Sequence, residues 1–341
     1  MLATMVRVRL RSRSLVQIRR VAPVPFDTPE PAVSRIYREV ERDFGVLAPP
    51  VALHAASPAT TAAVWLMLRE TLVAPGAADR ADKEAVADGI SRSNSCPYCV
   101  TMHGAMLDAL GAGAGSVRVR DWAETNAIRG AAVADELPFR EEAAPELVAT
   151  AVLMHYLNRM VNVFLGEAPL PPKAPVQALK VVTPVLNWLQ RSADRDAVTP
   201  GTSMDLLPRA PLPADMAWTA GNPVLIDAFS RAAAAIDRVG EQALPADVRE
   251  LVLTRLKAWD GTPPGISRAW VEEAVGVLAP DDRAAGRLAL LTAFASYQID
   301  DAVVDAYRAT ADGQDARLIE ATAWASLSAA REAASWMITK K

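Results

Sequence analysis

Alanine-rich amphipathic segments recur along most of this chain and constrain its fold more than any other feature. In the first half they cover about residues 60–73, 80–93, 97–110, 118–134 and 144–165. Apolar residues at the helical period predict amphipathic helices, and the Gly and Pro residues between the segments predict where those helices end. Beyond the N-terminal arm, no segment alternates convincingly as a strand. The sequence therefore predicts an all-α protein.

The composition narrows the classes of function. The chain has 341 residues, 51% hydrophobic and 22% charged, which is enough for two domains with their own cores. A net charge of −4 provides no overall positive field that would attract nucleic acid. No uninterrupted apolar run approaches the roughly 18 residues of a membrane span, and no signal-peptide core is present. We therefore expect a cytoplasmic protein with no nucleic-acid partner and no membrane span.

Prolines divide the chain into an arm, two helical domains and a connector. Residues 1–31 hold an arginine-rich stretch and a proline-rich linker, and the stretch could be an edge strand, a basic arm, a transit-like segment or a flexible tail. Nine prolines in 168–213 break up any long helix and leave one short helix around 181–190. The expected helical domains are therefore 32–167 and 214–341.

Both cysteines of the chain, Cys96 and Cys99, lie three residues apart, and His103 follows one helical turn later. Proline is favoured at the first helical position, so we expect a helix to begin at Pro97 with Ser95 or Cys96 as its N-cap. Both sulfurs then lie at the positive end of the helix dipole, which favours a thiolate. Since Cys99 and His103 are i and i+4 neighbours, the spacing places an imidazole within reach of a dithiol.

Three interpretations of this motif compete. The first interpretation is a structural zinc site, which needs four ligands, and the chain has neither a second CxxC nor a paired histidine. Two cysteines, one histidine and one glutamate could still form such a zinc site. Two inert buried cysteines are the second interpretation, against which the proline-capped helix start and the nearby histidine argue. A redox-active dithiol in a reducing compartment is the third, and we favour it. It requires no metal and no bound cofactor.

Glu84 stands twelve residues before Cys96, and the pattern Glu84-x11-Cys96-x2-Cys99-x3-His103 resembles the signature of the alkylhydroperoxidase AhpD-like/carboxymuconolactone decarboxylase family. The resemblance covers about residues 45–165. It implies a thiol-dependent (alkyl hydro)peroxidase or disulfide oxidoreductase. It also implies that Cys99 is the peroxide-reacting thiolate, Cys96 the resolving thiol, and His103 with Glu84 the proton relay.

The same resemblance implies the partners, which are a peroxide substrate and an external dithiol such as dihydrolipoamide on a lipoyl domain. One departure is Tyr98, which stands where well-studied peroxidase members carry a second histidine. From the position of the motif at a helix start, we expect a lowered pKa of Cys99 and a more exposed sulfur at Cys96, nearer the cap. A homo-oligomer is compatible with the family, and the sequence does not define one.

The second half of the sequence resembles a degenerate repeat of the first half. Pro58 precedes Glu84 by 26 residues, and Pro223 precedes Glu250 by 27. Glu84 and Glu250 are 166 residues apart, and the same offset aligns the two cysteines and the histidine with residues that offer no suitable nucleophile or base, namely Thr262, Gly265 and Ala269. The alternative is chance similarity between alanine-rich helices. Duplication predicts two AhpD-like helical repeats packed as an intramolecular pseudo-dimer, with the first repeat catalytic.

Two other functions stay open. A decarboxylase-like non-redox enzyme would need carboxylate-binding arginines and no dithiol, so the intact CxxC argues against it. A non-catalytic partner-binding scaffold would explain the degenerate second half. Among the remaining polar residues, His155 and Arg159 lie in an apolar segment and are interpreted as a structural polar cluster, and His54 as a loop or cap residue.

Overall fold

The computed structural model describes residues 2–131, 137–166 and 198–337, with side chains from residue 9 onward. Within these ranges every regular element is helical, so the all-α prediction is confirmed. The predicted short helix around 181–190, and most of the predicted connector, lie outside the described residues.

The α-helices are numbered here in chain order. They are α1 (Leu2–Leu15), α2 (Pro31–Asp43), α3 (Pro49–Ala52), α4 (Pro58–Leu68), α5 (Arg80–Ser93), α6 (Pro97–Leu110), α7 (Ala114–Asn126), α8 (Ala144–Phe164), α9 (Pro223–Ala243), α10 (Ala246–Lys257), α11 (Ala269–Val275), α12 (Arg283–Ala295), α13 (Asp301–Thr310) and α14 (Asp315–Met337). A π-helical turn, Arg69–Val73, extends α4.

Most helices match the predicted segments, but two elements of the first half differ. Helix α7 was expected over 118–134; it begins at Ala114 and ends at Asn126. The glycine-rich stretch before α7 separates it from α6 only in part, because Gly115 lies inside α7. A helical glycine costs about 1 kcal/mol relative to alanine. We attribute its tolerance here to the burial of Val119 and Trp122 on the same helix.

The N-terminal arm is a helix rather than an edge strand or a flexible tail. A strand needs a partner strand, and the described chain offers none, whereas arginine and leucine are good helix formers. The residues after α1 then bind the C-terminal end of α8. The Arg19 amide donates to the Phe164 carbonyl oxygen at 2.8 Å, and Arg20 Nη1 donates to the Val163 carbonyl oxygen at 2.7 Å. Cationic donors at a helix C-terminus are favourable, so this arm caps α8.

The two halves share one hydrophobic core. Helix α4 of the first half packs on α9 of the second, and α8 packs on α14. Apolar residues of all four helices belong to a single buried cluster that also contains both cysteines. Helices α4 and α9 begin at Pro58 and Pro223, which the predicted duplication aligns, so their packing is compatible with an intramolecular pseudo-dimer. The duplication itself stays a prediction.

Helix α8 is the centre of this core. With the preceding turn, Glu141–Phe164 has the length and hydropathy of a membrane-spanning helix, but 94% of its most apolar window is buried inside the protein. It therefore fits the core helix of a folded domain.

Polar contacts also join the halves. The Trp336 indole nitrogen donates to the Asn126 carbonyl oxygen at 3.1 Å, and Arg129 pairs with Glu332 at 2.6 Å. Gly261 has φ +93°, and a Cβ there would lie 2.1 Å from the Ala127 carbonyl oxygen. Only glycine fits this close approach, which fixes a loop of the second half against the end of α7.

Candidate active site

The turn between α5 and α6 positions the dithiol. Helix α6 begins at Pro97 with Cys96 as its N-cap, and it ends at Gly111 in the left-handed region with φ +65°, so the predicted start and N-cap are confirmed. The Cys96 amide donates to the Ser91 carbonyl oxygen at 3.0 Å, which folds the motif back onto α5. Ser95 has φ +51°, a conformation that is unfavourable for a residue other than glycine. The tight packing of α5 on α6 holds that turn in place.

Glu84 and His103 are brought together across the α5–α6 pair. His103 Nδ1 lies 2.6 Å from Glu84 Oε2, and Arg80 Nε donates to Glu84 Oε1 at 2.8 Å. Burial of Glu84 opposes its ionisation, but the charges and hydrogen bonds of Arg80 and His103 outweigh burial and lower its pKa to about 2. A carboxylate at Nδ1 fixes the neutral imidazole with Nδ1–H toward Glu84 and the lone pair on Nε2. The imidazole is therefore prepared to accept a proton at Nε2.

Replacing Glu84 by glutamine should remove an acid-sensitive part of the stability. The ionised form is stabilised in the folded state, so its contribution is complete above the unfolded pKa of about 4.5 and is lost as pH falls toward the folded pKa of about 2. At pH 7 we expect Glu84→Gln to cost about 3 kcal/mol, measured by urea unfolding. The difference from wild type should shrink below pH 4.5.

The matched control for that experiment is Glu272→Gln. Glu272 pairs with Arg287 at 2.6 Å, but its side chain is 53% exposed, so the variant should unfold much like wild type. A Glu84→Gln protein as stable as the control at pH 7 would contradict the electrostatic role of the buried carboxylate.

Both cysteines are free and buried, with Cys96 0% and Cys99 3% exposed. The expectation that Cys96 would be the more exposed sulfur is therefore wrong. An N-cap residue is exposed on an isolated helix, but here the turn through Ser95 packs the cap against α5 and the core. Neither sulfur is presented to a bulky partner in this state.

The expected lowered pKa of Cys99 is also wrong. A hydrogen bond with Cys96, burial, and the negative charge that Cys96 can carry raise the pKa of the Cys99 thiol, and only a hydrogen bond from Asn158 acts in the opposite direction. Two thiols in contact resist double ionisation, and this effect with burial exceeds that of the helix dipole. Cys99 therefore needs a base to become a thiolate at neutral pH.

We expect Cys96→Ser to lower the pKa of Cys99. The substitution removes the largest cause of the shift and its charge, while the serine hydroxyl can still donate to a Cys99 thiolate. The thiolate ultraviolet absorbance, titrated against pH, should rise at lower pH in this variant than the step that belongs to Cys99 in the wild type. An unchanged or higher midpoint for Cys99 would show that burial alone sets its pKa.

Helix α8 supplies groups that the sequence did not assign to the site. Asn158 is fully buried and donates to Ser91 Oγ at 3.1 Å, and its Oδ1 accepts from Asn94 Nδ2 at 2.9 Å. This asparagine thereby connects α5, the motif turn and Cys99. A polar residue in an apolar helix is expected to have a hydrogen-bond partner. Which residue that partner is depends on how the helices pack, so the sequence does not identify it.

The other sequence candidates lie elsewhere. His54 lies in a loop, as predicted, and is buried, with Nε2 2.8 Å from the Tyr156 hydroxyl; burial lowers its pKa to about 3. His155 takes part in the predicted polar cluster, with Nδ1 3.1 Å from Asn94 Nδ2. The second-half positions corresponding to the motif form a loop and the first residue of α11. Nothing in the described residues around them resembles the Glu84–His103 pair.

The assembled site is thus a buried dithiol with an oriented imidazole one helical turn after Cys99. His103 is 16% exposed at its side chain, so the pair of Glu84 and His103 connects the interior with solvent. In the described ranges, no three His, Cys, Asp or Glu side chains come together in a way that could hold a metal ion. Proton transfer to and from a thiol is the chemistry that these groups can perform.

Comparison with known proteins agrees with this geometry. The family model described as Carboxymuconolactone decarboxylase family matches residues 59–136, which run from α4 through α7 and include the dithiol, Glu84 and His103. Over 321 residues the chain is 34% identical to the alkyl hydroperoxide reductase Rv2159c of Mycobacterium tuberculosis, covering 90% of this chain and 91% of that protein. With that identity along almost the whole length of both proteins, the chain belongs to the AhpD-like carboxymuconolactone decarboxylase family.

Proposed function

We propose that this protein is a thiol-dependent alkyl hydroperoxidase, or a disulfide oxidoreductase of the same chemistry, with Cys96 and Cys99 as its redox pair. The observation that carries the proposal is the 2.6 Å contact between Glu84 and His103, which lies one helical turn after the free, buried dithiol. The name of its relative, an alkyl hydroperoxide reductase aligned over 90% of this chain, supports a hydroperoxide as the substrate.

The first step is the reaction of Cys99 with peroxide. His103 Nε2 takes the proton from the thiol, and the thiolate attacks the nearer oxygen of the O–O bond. The oxygen attacked is the terminal one that carries the hydrogen; the O–O bond breaks, Cys99 becomes a sulfenic acid, and the alkoxide leaves as an alcohol after taking a proton from the imidazolium. Because the pKa of Cys99 is raised, this step depends on the base.

The second step forms the disulfide. The Cys96 sulfur attacks the Cys99 sulfur, and the sulfenic oxygen leaves as water. An external dithiol then reduces the disulfide through a mixed disulfide and is itself oxidised. The electrons of one dithiol thus reduce one hydroperoxide to one alcohol and one water.

Tyr98 does not replace the histidine that the resembling peroxidases carry at this position. Its hydroxyl donates to Gln17 Oε1 at 3.1 Å, and burial raises its pKa far above neutral. A phenol with that pKa stays protonated and cannot serve as a base at neutral pH. Glu84 and His103 are therefore proposed as the complete proton relay.

Counting thiols tests the proposal directly. One equivalent of cumene hydroperoxide, added without air to the reduced protein, should consume both thiols and form one intramolecular disulfide, seen by mass spectrometry. The His103→Gln variant should react roughly 10²- to 10⁴-fold more slowly, the usual contribution of a general base. Unchanged thiols in wild type would leave the non-redox or scaffold alternatives.

Dihydrolipoamide is expected to reduce the oxidised protein much faster than glutathione at equal thiol concentration. Both sulfurs are buried, so a slender dithiol has better access than a charged tripeptide, and its second thiol completes the exchange within one complex. Stopped-flow reduction of wild type measures the two rates. Equal rates would remove the lipoyl-linked reductant from the proposal and leave a generic dithiol.

A further inference from the structure

Arg159 of α8 is a buried cation without a carboxylate partner. It is 4% exposed, its Nε donates to the Ala293 carbonyl oxygen at 2.9 Å, and its Nη1 donates to the His155 carbonyl oxygen at 2.7 Å. No Asp or Glu in the described residues pairs with it, and burial lowers its pKa to about 9. It is still a cation at neutral pH, and a buried charge of this kind is costly unless an anion compensates it.

One nitrogen of the Arg159 guanidinium donates no hydrogen bond to the described chain. The hydrogen bonds of Arg159 to the described chain involve Nε and Nη1, so Nη2 keeps both of its donors. Arg159 lines a narrow pocket between α8 and the second half, together with Asn94, Trp259 and Ser296. The pocket has a volume of about 20 Å³, which holds about one water-sized group. An oxygen of a carboxylate fits there.

The walls of the pocket suit a flat anion. The Trp259 ring lies 5.6 Å from the Arg159 guanidinium carbon. Ser296 Oγ accepts a hydrogen bond from Asn162 Nδ2 at 3.0 Å, so its own proton is available to donate. A guanidinium donor, a hydroxyl donor and an aromatic wall thus meet at one small opening to which both halves contribute.

A short hydrogen-bond chain connects this pocket with the dithiol. Arg159 Nη1 donates to Asn94 Oδ1 at 3.3 Å, Asn94 Nδ2 donates to Asn158 Oδ1 at 2.9 Å, and Asn158 bonds to Cys99. Arg159 itself is not among the groups that shift the pKa of Cys99. The Arg159 guanidinium can thus pair with a bound anion, and it does not stabilise the Cys99 thiolate.

We propose that this pocket binds the carboxylate of the substrate, so that the preferred substrates are organic hydroperoxides that carry a carboxylate group. The proposal rests on the proposed function above, and it assigns to the second half a part in substrate binding, through Trp259 and Ser296. Charged hydrogen bonds of this type contribute about 1.5–3 kcal/mol, which corresponds to roughly 10- to 100-fold in affinity.

The test compares two substrates of similar size, cumene hydroperoxide and its para-carboxylate. In wild type the carboxylated peroxide should have the lower KM. Arg159→Met, which keeps an unbranched buried side chain, should raise the KM of the carboxylated peroxide by roughly 10- to 100-fold more than it raises the KM of the neutral one. Arg159→Lys should restore part of the difference. Equal changes for the two peroxides, or no preference in wild type, would overturn the proposal.

Benzoate titration of the full-length protein separates this site from the peroxidase chemistry and does not depend on the variant being active. Calorimetry should show benzoate binding to wild type, no binding of benzamide, and no benzoate binding to a folded Arg159→Met. Benzoate should inhibit only the carboxylated peroxide; inhibition or activation with the neutral peroxide would mean a free carboxylate effector and overturn the substrate assignment. If neither peroxide reacts but benzoate binds through Arg159, the carboxylate site stands and the proposed function fails. If both peroxides react and benzoate does not bind, the carboxylate site fails alone.

Discussion

Replacing Cys99 by serine is expected to abolish peroxide reduction, with a loss of turnover of roughly 10³-fold or more, because it removes the sulfur that serves as the nucleophile in the proposed mechanism. Cys96→Ser should behave differently. It retains the Cys99 thiol, Glu84 and His103, so it should consume one equivalent of peroxide and then stop with a sulfenic acid at residue 99. Rapid mixing followed by dimedone trapping and peptide mass spectrometry distinguishes the two variants.

The control for both variants is Thr262→Ala, at the second-half position that the predicted duplication aligns with Cys96. Thr262 lies in a loop, so the turnover of the Thr262→Ala variant should match that of wild type. A dimedone adduct on Cys96 in the Cys99→Ser protein would reverse the proposed roles of the two sulfurs. Such a reversal is chemically open, because both sulfurs are equally buried and the order of reaction rests on the position of His103 one turn after Cys99.

Local features of the site could be predicted from the sequence because they depend on spacing along one helix. Pro97 defines the start of α6, Cys96 is its N-cap, and the fixed interval to His103 places it on the same face as Cys99. The Glu84–His103 contact joins two helices, so it is predicted only by the resemblance to a known motif. Periodicity alone would not have paired these two residues.

Burial and acidity could not be predicted, because they depend on which helices cover the motif. An N-cap is exposed on an isolated helix, so Cys96 was expected at the surface; the packing of α5 buries it. The helix dipole predicted a lowered pKa of Cys99, but the adjacent thiol and the loss of water have the larger effect. Asn158 and Arg159 enter the site region from α8, more than fifty residues away in sequence.

The secondary structure of the N-terminal arm could not be predicted for a different reason. Its alternating arginines are compatible with a strand as well as with a helix over so short a stretch, and only the absence of a partner strand in the described chain decides between them. Gln17 then contacts Tyr98 at 3.1 Å, so the arm covers the motif at the position where resembling peroxidases carry a histidine.

Removing the second half is expected to unfold the catalytic half. Helices α4 and α8 bury their apolar faces against α9 and α14, and a chain ending at residue 166 would expose those faces. Each large apolar side chain that loses its cover costs about 1.5–3 kcal/mol, so a handful exceeds the roughly 5–15 kcal/mol by which a domain is stable. We expect the fragment 1–166 to be insoluble, or to lack a cooperative unfolding transition and peroxidase activity.

A cleaved chain is the matched control for that truncation. A protease site inserted within 167–197 allows the connection to be cut while both halves remain present. Because the halves are joined by one core and by contacts such as Trp336 with Asn126, the cleaved protein should stay associated on gel filtration and keep its activity. If the two pieces separate and 1–166 stays soluble and active, each half is an independent domain. If they remain together and only the truncated protein fails, the second half acts as a built-in partner subunit that completes the core of the first.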